Sequence, residues 1–218
     1  MTTIDRGSWT LPPRMAGILL MVLALLSLPL AAGSGQAEDP QALVRNTAEY
    51  VLAQVRARKA ELEKDNSGIY ALVQEKVVPH FDFRLMTRAA LGRYWRRASE
   101  GQKARLVREF QELLVRTYAT MLLGYSDEKI EYLPFRGKPG DRRVVVRTKV
   151  YTSDGAPPVP IDYRLAKKDG EWKVYDVVVD GVSLVSNYRG TFAEEVRKGG
   201  IEGLIASLKE HNRKLGNG

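Results

Sequence analysis

The polar residue most suggestive of chemistry is Asp176, because it interrupts an apolar strand pattern between positions 171 and 180. Alternation places it on one face with Trp172, Val174 and Val178. An acid on an apolar face is either a base with a raised pKa or a structural group that pairs with arginine or caps backbone amides. The structural role is our expectation. The candidate partners are Arg93, Arg96 and Arg189.

The common motifs of catalysis and metal binding do not occur in the sequence. The absence of cysteine excludes disulfides, thiol catalysis and thiolate metal sites. His80 and His211 lie far apart without ligand spacing, so we expect no metal. No phosphate-binding loop of the GxxxxGK[ST] type occurs, and Ser183 lies outside any GxSxG turn. The glycine-rich run at 199–203 follows no strand and predicts a turn between two helices. We therefore predict no catalytic residue and no enzyme.

A predicted antiparallel sheet positions Asp176. Two alternating runs, 159–166 and 171–180, flank Lys168-Asp169-Gly170, and the Asp-Gly pair favours a hairpin turn. Two further strands, 129–135 and 142–151, precede this hairpin. The residues that alternation assigns to one face of these strands are Val144, Val146, Val150, Val159, Ile161, Tyr163 and Leu165. The opposite face, with Arg147, Lys149, Arg164 and Lys173, is expected to meet water.

Helices precede the sheet. Asp39-Pro40, Asp82 and Ser99 are predicted N-caps, and Gln102 completes a capping box with Ser99. The helix that starts at Glu100 has the clearest apolar stripe. Its members include Leu106, Phe110, Leu113, Leu114, Tyr118 and Met121. Two short helices, 184–198 and 201–213, end the chain. The pattern predicts an α+β domain in which several helices pack on one face of a four-stranded antiparallel sheet, with a gap between the layers.

The N-terminal segment is typical of an export signal. Arg6 and Arg14 precede the apolar run 16–30, which small residues follow. We therefore predict a signal peptide at 1–37, a single mature domain at 38–218 and a periplasmic location. The whole chain carries 34 basic and 26 acidic residues; loss of Arg6, Arg14 and Asp5 leaves 32 and 25, or +7. This charge suits anionic membrane surfaces or acidic partners, and an exported chain rarely meets nucleic acid.

Several segments resemble one family. The matching segments are VVPHFDFRLMTRAALGRYWRRAS, FQELLVRTYATMLLGY, VVVRTKV, DYRL, DGEWKVYDVVVDGVSLVSNYR and KGGIEGLIASL. They span roughly 77–208 and resemble, in the same order, segments of the MlaC family, also called the toluene-tolerance auxiliary family. The resemblance implies a phospholipid-binding shuttle that maintains outer-membrane lipid asymmetry. Its partners would be an inner-membrane ABC transporter with an MCE-domain subunit and an outer-membrane lipoprotein complex, through transient contacts.

The resemblance also implies a lipid-sized cavity between helices and sheet, with phospholipid as cargo and no cofactor. The expected lining is Leu85, Leu91, Trp95, Phe110, Leu114, Tyr118, Val144, Val146, Val150, Tyr163, Trp172, Val174 and Val178. Weaker candidates for the head group are Arg93, Arg96 and Arg147, the last on the wrong strand parity for the cavity.

Two other functions remain open from the sequence. The first is an enzyme with helices on a cone-shaped sheet, in which Asp176 is the base and Tyr163 a hydrogen-bond donor. The second is an adaptor with a fully packed core and no ligand.

The N-terminal pattern gives the first testable prediction. Expression of the full chain in a Gram-negative host should yield a periplasmic protein that begins near Glu38, because a basic segment before a short apolar run directs export and cleavage. N-terminal sequencing after osmotic shock measures this. An intact Met1 in the membrane fraction would contradict it.

Overall fold

The computed structural model describes residues 39–124, 128–152 and 155–216. The predicted signal peptide and its cleavage site lie outside the described residues. Within the described part of the chain, no helix has the length and apolar character required to cross a bilayer.

Five α-helices form one layer in this part of the chain. Their bounds are α1 Pro40–Leu62, α2 Ser67–Lys76, α3 Phe83–Leu91, α4 Glu100–Tyr118 and α5 Leu184–Gly216. Short 3-10 turns follow three of them, at Val78–His80, Gly92–Arg97 and Ala119–Gly124. Gly200 has a left-handed φ of 66° and interrupts α5, so the two predicted C-terminal helices are the two halves of this element.

The predicted helix caps are confirmed. Asp39 accepts from the backbone N–H groups of Gln41 and Ala42, and Asp82 accepts from that of Leu85 at 2.9 Å. At α4 the Ser99 hydroxyl accepts from the N–H of Gln102 at 3.2 Å, and the Gln102 side chain accepts from the N–H of Ser99 at 2.9 Å. These bonds satisfy amide groups that lack partners in the first helical turn, which fixes where each helix begins.

The second layer is an antiparallel sheet with the strand order β1-β2-β3-β4-β5. Its strands are β1 Lys129–Tyr132, β2 Arg143–Tyr151, β3 Val159–Lys168, β4 Glu171–Val179 and β5 Val182–Ser183. The fifth strand was not predicted, because its two residues are too few to show an alternating pattern. The four predicted strands and the hairpin turn at Asp169-Gly170 are confirmed.

A β-bulge in β4 overturns part of the predicted face assignment. Leu165 pairs with Val174, but the next residue of β3, Arg164, pairs with Asp176, so Tyr175 is an extra residue in β4. Such an insertion reverses which side of the strand faces the core. Strict alternation from Trp172 therefore assigns Asp176 and Val178 to the wrong face.

Cross-strand pairs show which residues line the helix-facing side of the sheet. Val144 pairs with Leu165 and through it with Val174, and the next row joins Val146, Tyr163 and Val177. A third row joins Thr148, Ile161 and Val179. All nine of these side chains are buried. The helices cover this side and leave the exposed Arg147 on the outer side.

Asp176 holds together the end of β4 and the start of α5. One carboxylate oxygen accepts from the guanidinium of Arg164 at 3.0 Å and from the Ser183 hydroxyl at 2.7 Å. The other accepts from the backbone N–H of Val185 at 3.2 Å. The predicted structural role agrees with these bonds, but the proposed partners Arg93, Arg96 and Arg189 are wrong. The true partner, Arg164, is the residue opposite Asp176 across the bulge.

The positions of Asp176 and Tyr163 contradict the alternative enzyme mechanism, which needs both side chains in one site. Asp176 lies on the outer side of the sheet, whereas Tyr163 lies on the helix-facing side. Two groups on opposite sides of a sheet cannot act on one substrate. In addition, both oxygens of Asp176 are engaged by donors from its own domain.

The contacts of Asp176 give the second testable prediction. Asp176→Asn should lower the free energy of unfolding by about 1–3 kcal/mol, because the amide turns one acceptor into a donor that faces other donors. Urea unfolding of delipidated protein measures this.

The matched control is Asp162→Asn. Asp162 is on the same outer side, its side chain is 37% exposed, and its ion pair with Arg147 is long at 3.8 Å. Its replacement should change stability by less than about 0.5 kcal/mol. Equal effects of the two substitutions would contradict the bridging role of Asp176.

Candidate functional site

The candidate site is an apolar cavity between the sheet and helices α3, α4 and α5. The residues around it are Phe81, Phe83, Met86, Leu114, Val115, Tyr118, Val177 and Leu184. Its volume is about 20 Å³, close to the space required by one water molecule. The predicted lipid-sized cavity is therefore not open in this structure, because the side chains of the two layers pack against each other.

Seven of the predicted lining residues lie where the two layers meet. Leu114 and Tyr118 of α4 line the cavity itself. Five others belong to the sheet and are buried in the core that the two layers share: Val144, Val146, Val150, Tyr163 and Val174. The structure brings these residues together as predicted, and their contact with a ligand stays a prediction.

Other predicted lining residues lie elsewhere. Phe110 contacts Tyr188 and Phe192 of α5 edge-on, with ring centroids 5.1 and 5.0 Å apart, so it packs between two helices. Trp95 is buried under Arg84 and Lys103, which lie over its ring. The apolar stripe of α4 packs partly on α5 and partly around the cavity, and the sequence does not show which of its residues contact which.

Four residues of the predicted set remain. Leu91 is buried at the end of α3, and Leu85 is half-buried on the same helix. Trp172 lies at the turn end of the hairpin, where Lys167 pairs with it and contacts its ring. Val178 is on the outer side of the sheet because of the bulge, so its assignment to the cavity face is wrong.

Several cavity residues were missed by the sequence analysis. Val177 was assigned to the outer face by strict alternation, which the bulge reverses. Phe81 and Phe83 flank the cap Asp82, and their rings stack with centroids 5.8 Å apart. Two aromatic residues on either side of a helix cap are a signal that could have placed them at the layer interface. The other missed residues are Met86, Val115 and Leu184.

The arginines suggested for a head group occupy two surfaces. Arg93 and Arg96 are exposed in the turn Gly92–Arg97, and Arg93 donates to the Tyr94 hydroxyl at 3.1 Å. The guanidinium of Arg93 lowers the pKa of Tyr94, because it stabilises the phenolate. Arg147 pairs with Asp162 on the outer side of the sheet, as its strand parity indicated.

Polar atoms are sparse between the layers, and two of them are phenol oxygens. The side chain of Tyr163 is 1% exposed, and its hydroxyl has no hydrogen-bond partner of normal geometry. The hydroxyl of Tyr132, in β1, is also buried without such a partner. Burial raises the pKa of both tyrosines, because the phenolate would lose its hydration. Both side chains are therefore neutral at any physiological pH.

The described residues offer no alternative chemistry. They contain no group of three or more His, Asp or Glu side chains that could hold a metal ion. His80 is buried, and this burial together with Lys173 lowers its pKa to about 4, so the imidazole is neutral. The arrangement can enclose an apolar ligand, but it presents no assembled acid, base or nucleophile around the cavity.

Comparison with known proteins adds independent information. The family profile described as "MlaC protein" matches residues 45–210. The intermembrane phospholipid transport system binding protein MlaC of Haemophilus influenzae is 26% identical over 175 residues. The alignment covers 79% of this chain and 81% of that protein. The toluene tolerance protein ttg2D of Pseudomonas putida is 27% identical over 185 residues, covering 84% and 83%.

A solved structure shows the same fold. The phospholipid-binding protein of Ralstonia solanacearum, determined in complex with a phospholipid, is 36% identical and superposes with a TM-score of 0.74. The match covers 82% of this chain and 99% of that one. The family profile matches most of the chain, and two relatives align with it over about four fifths of their length. Together with the shared fold, these matches show that the chain belongs to the MlaC family.

Proposed function

We propose that this protein binds a glycerophospholipid between its sheet and its helices and carries it through the periplasm. The observation that supports this most directly is the apolar interface with a cavity at its centre, in a chain that shares its fold with a protein solved in complex with a phospholipid. The residues around the cavity are all apolar except for the Tyr118 hydroxyl, as the binding of acyl chains requires.

The energetics of lipid transfer explain why a carrier needs such an interface. Two acyl chains contain about 30 methylene groups, and exposure of each to water costs ~0.8 kcal/mol, so unassisted transfer faces roughly 24 kcal/mol. A carrier must replace most of this burial. The central strands have nine or ten residues and extend about 30 Å, whereas one bilayer leaflet is about 15 Å thick. A whole acyl chain can therefore lie along the sheet.

Binding requires the two layers to separate. A volume of about 20 Å³ accommodates no acyl chain, so the sheet has to move away from helices α3, α4 and α5 when the lipid enters. The apolar surface that this movement opens is covered by the lipid and not by water. In this proposal the closed form is the ligand-free state, and the bound form replaces contacts between the layers with contacts to the acyl chains.

The direction of delivery depends on partners. The sequence has no nucleotide-binding loop, so release cannot be driven by this chain alone. We propose that transient contacts with an inner-membrane ABC transporter carrying an MCE-domain subunit, and with an outer-membrane lipoprotein complex, open the layers at each end of the route. Arg93 and Arg96 are exposed, and we propose that they contact a solvated head group or an acidic partner surface.

The primary experiment is mass spectrometry of organic extracts from protein purified after expression of the full chain. We expect co-purified phospholipid in stoichiometric amount, because an interface of this kind retains lipid through purification. A protein that never carries phospholipid, even after incubation with vesicles, would support the ligand-free adaptor instead.

The cavity gives a third testable prediction. Val177→Trp should reduce co-purified phospholipid severalfold, because the indole occupies the space that the acyl chains need. The domain should remain folded with a cost on the order of 1–3 kcal/mol, as is common for an overfilled core. Lipid content is measured by extraction, and stability by urea unfolding of delipidated protein, since bound lipid itself stabilises the native state.

The matched control is Val145→Trp. Val145 is half-buried on the outer side of the sheet, opposite Arg164, so an indole there does not enter the layer interface. We expect lipid content like that of the wild type. If Val177→Trp retains full lipid content while folded, the ligand does not occupy this interface.

A further inference from the structure

The starting observation is the pair of unpartnered phenol hydroxyls between the layers. Tyr163 and Tyr132 both have a buried hydroxyl oxygen without a hydrogen-bond partner. A buried polar group that lacks a hydrogen bond destabilises the folded state, so proteins seldom retain one without a reason. Phenylalanine would fill the same space without this cost. The hydroxyls themselves therefore require an explanation.

Thr148 is a neighbour of Tyr163, but it makes no hydrogen bond of normal geometry with the Tyr163 hydroxyl. The Thr148 hydroxyl is close enough to Tyr163 to lower its pKa slightly against the larger effect of burial. However, Thr148 donates to the carbonyl oxygen of Ile161 at 3.2 Å, and no hydrogen bond of normal geometry joins it to Tyr163. Tyr132 has Arg45 over its ring at 4.6 Å, a contact that leaves its hydroxyl free.

The two tyrosines belong to the helix-facing side of the sheet, and Tyr163 is next to the cavity. Tyr163 pairs across the sheet with Val177, which lines the cavity. Tyr132 pairs with Thr148, one row further along the sheet. The two rings are close enough that Tyr132 further raises the pKa of Tyr163. A ligand that separates the layers from Val177 across the sheet to β1 would therefore meet both hydroxyls.

The charge of the site selects the chemical group that fits. Both phenols are neutral donors. A phosphate buried against neutral donors alone would cost several kcal/mol, because an unpaired charge loses its hydration. An ester carbonyl carries no charge, accepts one or two hydrogen bonds and lies at the junction between acyl chains and glycerol. It matches two neutral donors at the boundary of an apolar cavity.

We propose that the hydroxyls of Tyr163 and Tyr132 form a subsite for the ester carbonyl oxygens of the bound lipid. This inference rests on the proposed phospholipid-binding function. The subsite fixes how deep the lipid lies: the acyl chains extend past Val177, and the glycerol is held beside β1 and β3. It also predicts selectivity for ester-linked over ether-linked lipids, since an ether lacks the carbonyl oxygen.

The experiment compares two lipids that differ only in this oxygen. Delipidated protein is equilibrated with vesicles containing equal amounts of a diester and a diether phosphatidylethanolamine of the same chain length, and the bound lipids are quantified by mass spectrometry. One neutral hydrogen bond corresponds to roughly fivefold in affinity. We expect the wild type to prefer the diester by about fivefold or more, relative to the double variant Tyr132→Phe/Tyr163→Phe.

The control and the second readout separate this role from a structural one. Tyr188 is also fully buried, but its hydroxyl lies 3.4 Å from that of Tyr118 within the helical layer. Tyr188→Phe should keep the wild-type preference. Tyr163→Phe should reduce the preference and cost the delipidated protein no more stability than Tyr188→Phe, because the Tyr163 hydroxyl makes no hydrogen bond of normal geometry within the protein.

The outcomes are distinct. If the wild type and the double variant bind lipid with the same ratio of diester to diether, the subsite is wrong while the carrier function stands. If the wild type takes up neither lipid from the vesicles, both proposals are wrong. Because the same vesicles are used for every variant, differences in how the two lipids leave a bilayer cancel in the comparison.

Discussion

The extra residue in β4 is the constraint on which the arrangement of this domain depends. With Tyr175 inserted between Val174 and Asp176, the first half of the strand directs Val174 to the helices, and the second half directs Val177 and Val179 there. If all residues of the strand alternated without a bulge, Asp176 would face the helical layer. The insertion places the carboxylate on the outer side, where it meets Arg164 and the start of α5. The inner side remains apolar for the whole length of the strand.

The proposed carrier function sets two opposed requirements. The layers have to close well enough to keep the empty form folded without disulfides, and they have to open for a ligand many times larger than the closed cavity. The structure separates these tasks. Phe110, Tyr188 and Phe192 hold α4 and α5 together through edge-on aromatic contacts, independently of the sheet. Leu114, Tyr118 and Leu184 lie around the cavity, and in the proposed function a ligand takes the place of their packing against the sheet.

Local patterns were sufficient to predict most of the fold. Caps such as Ser99 with Gln102, and the Asp169-Gly170 turn, are short-range features whose chemistry is legible in the sequence. The α+β class followed from the change of apolar period between the two halves of the chain. The bulge at Tyr175 could not be predicted, since it arises from pairing between two strands and changes no residue type. Consequently Val178 was assigned to the cavity face and Val177 was missed.

The candidate site was harder to predict than the fold for a related reason. An apolar stripe shows that a residue is buried, but not against what. Phe110 and Leu114 belong to the same stripe of α4, and the first packs on α5 while the second lines the cavity. The two unpartnered hydroxyls were equally hidden, because a tyrosine with a satisfied hydroxyl and one without look the same in a sequence.

The way the sheet ends has a consequence for aggregation. The outermost strands of the sheet, Lys129–Tyr132 and Val182–Ser183, are short. The part of β4 that β5 does not pair with is covered near Val174. There Phe81 forms an isolated bridge with Val174, and the N–H of Asp82 donates to the Val174 carbonyl at 2.9 Å. Long unpaired edges would allow two molecules to join their sheets, particularly when the layers separate and apolar surface is exposed. Short edge strands and the Phe81–Asp82 segment therefore leave few free backbone groups at which a second molecule could add a strand.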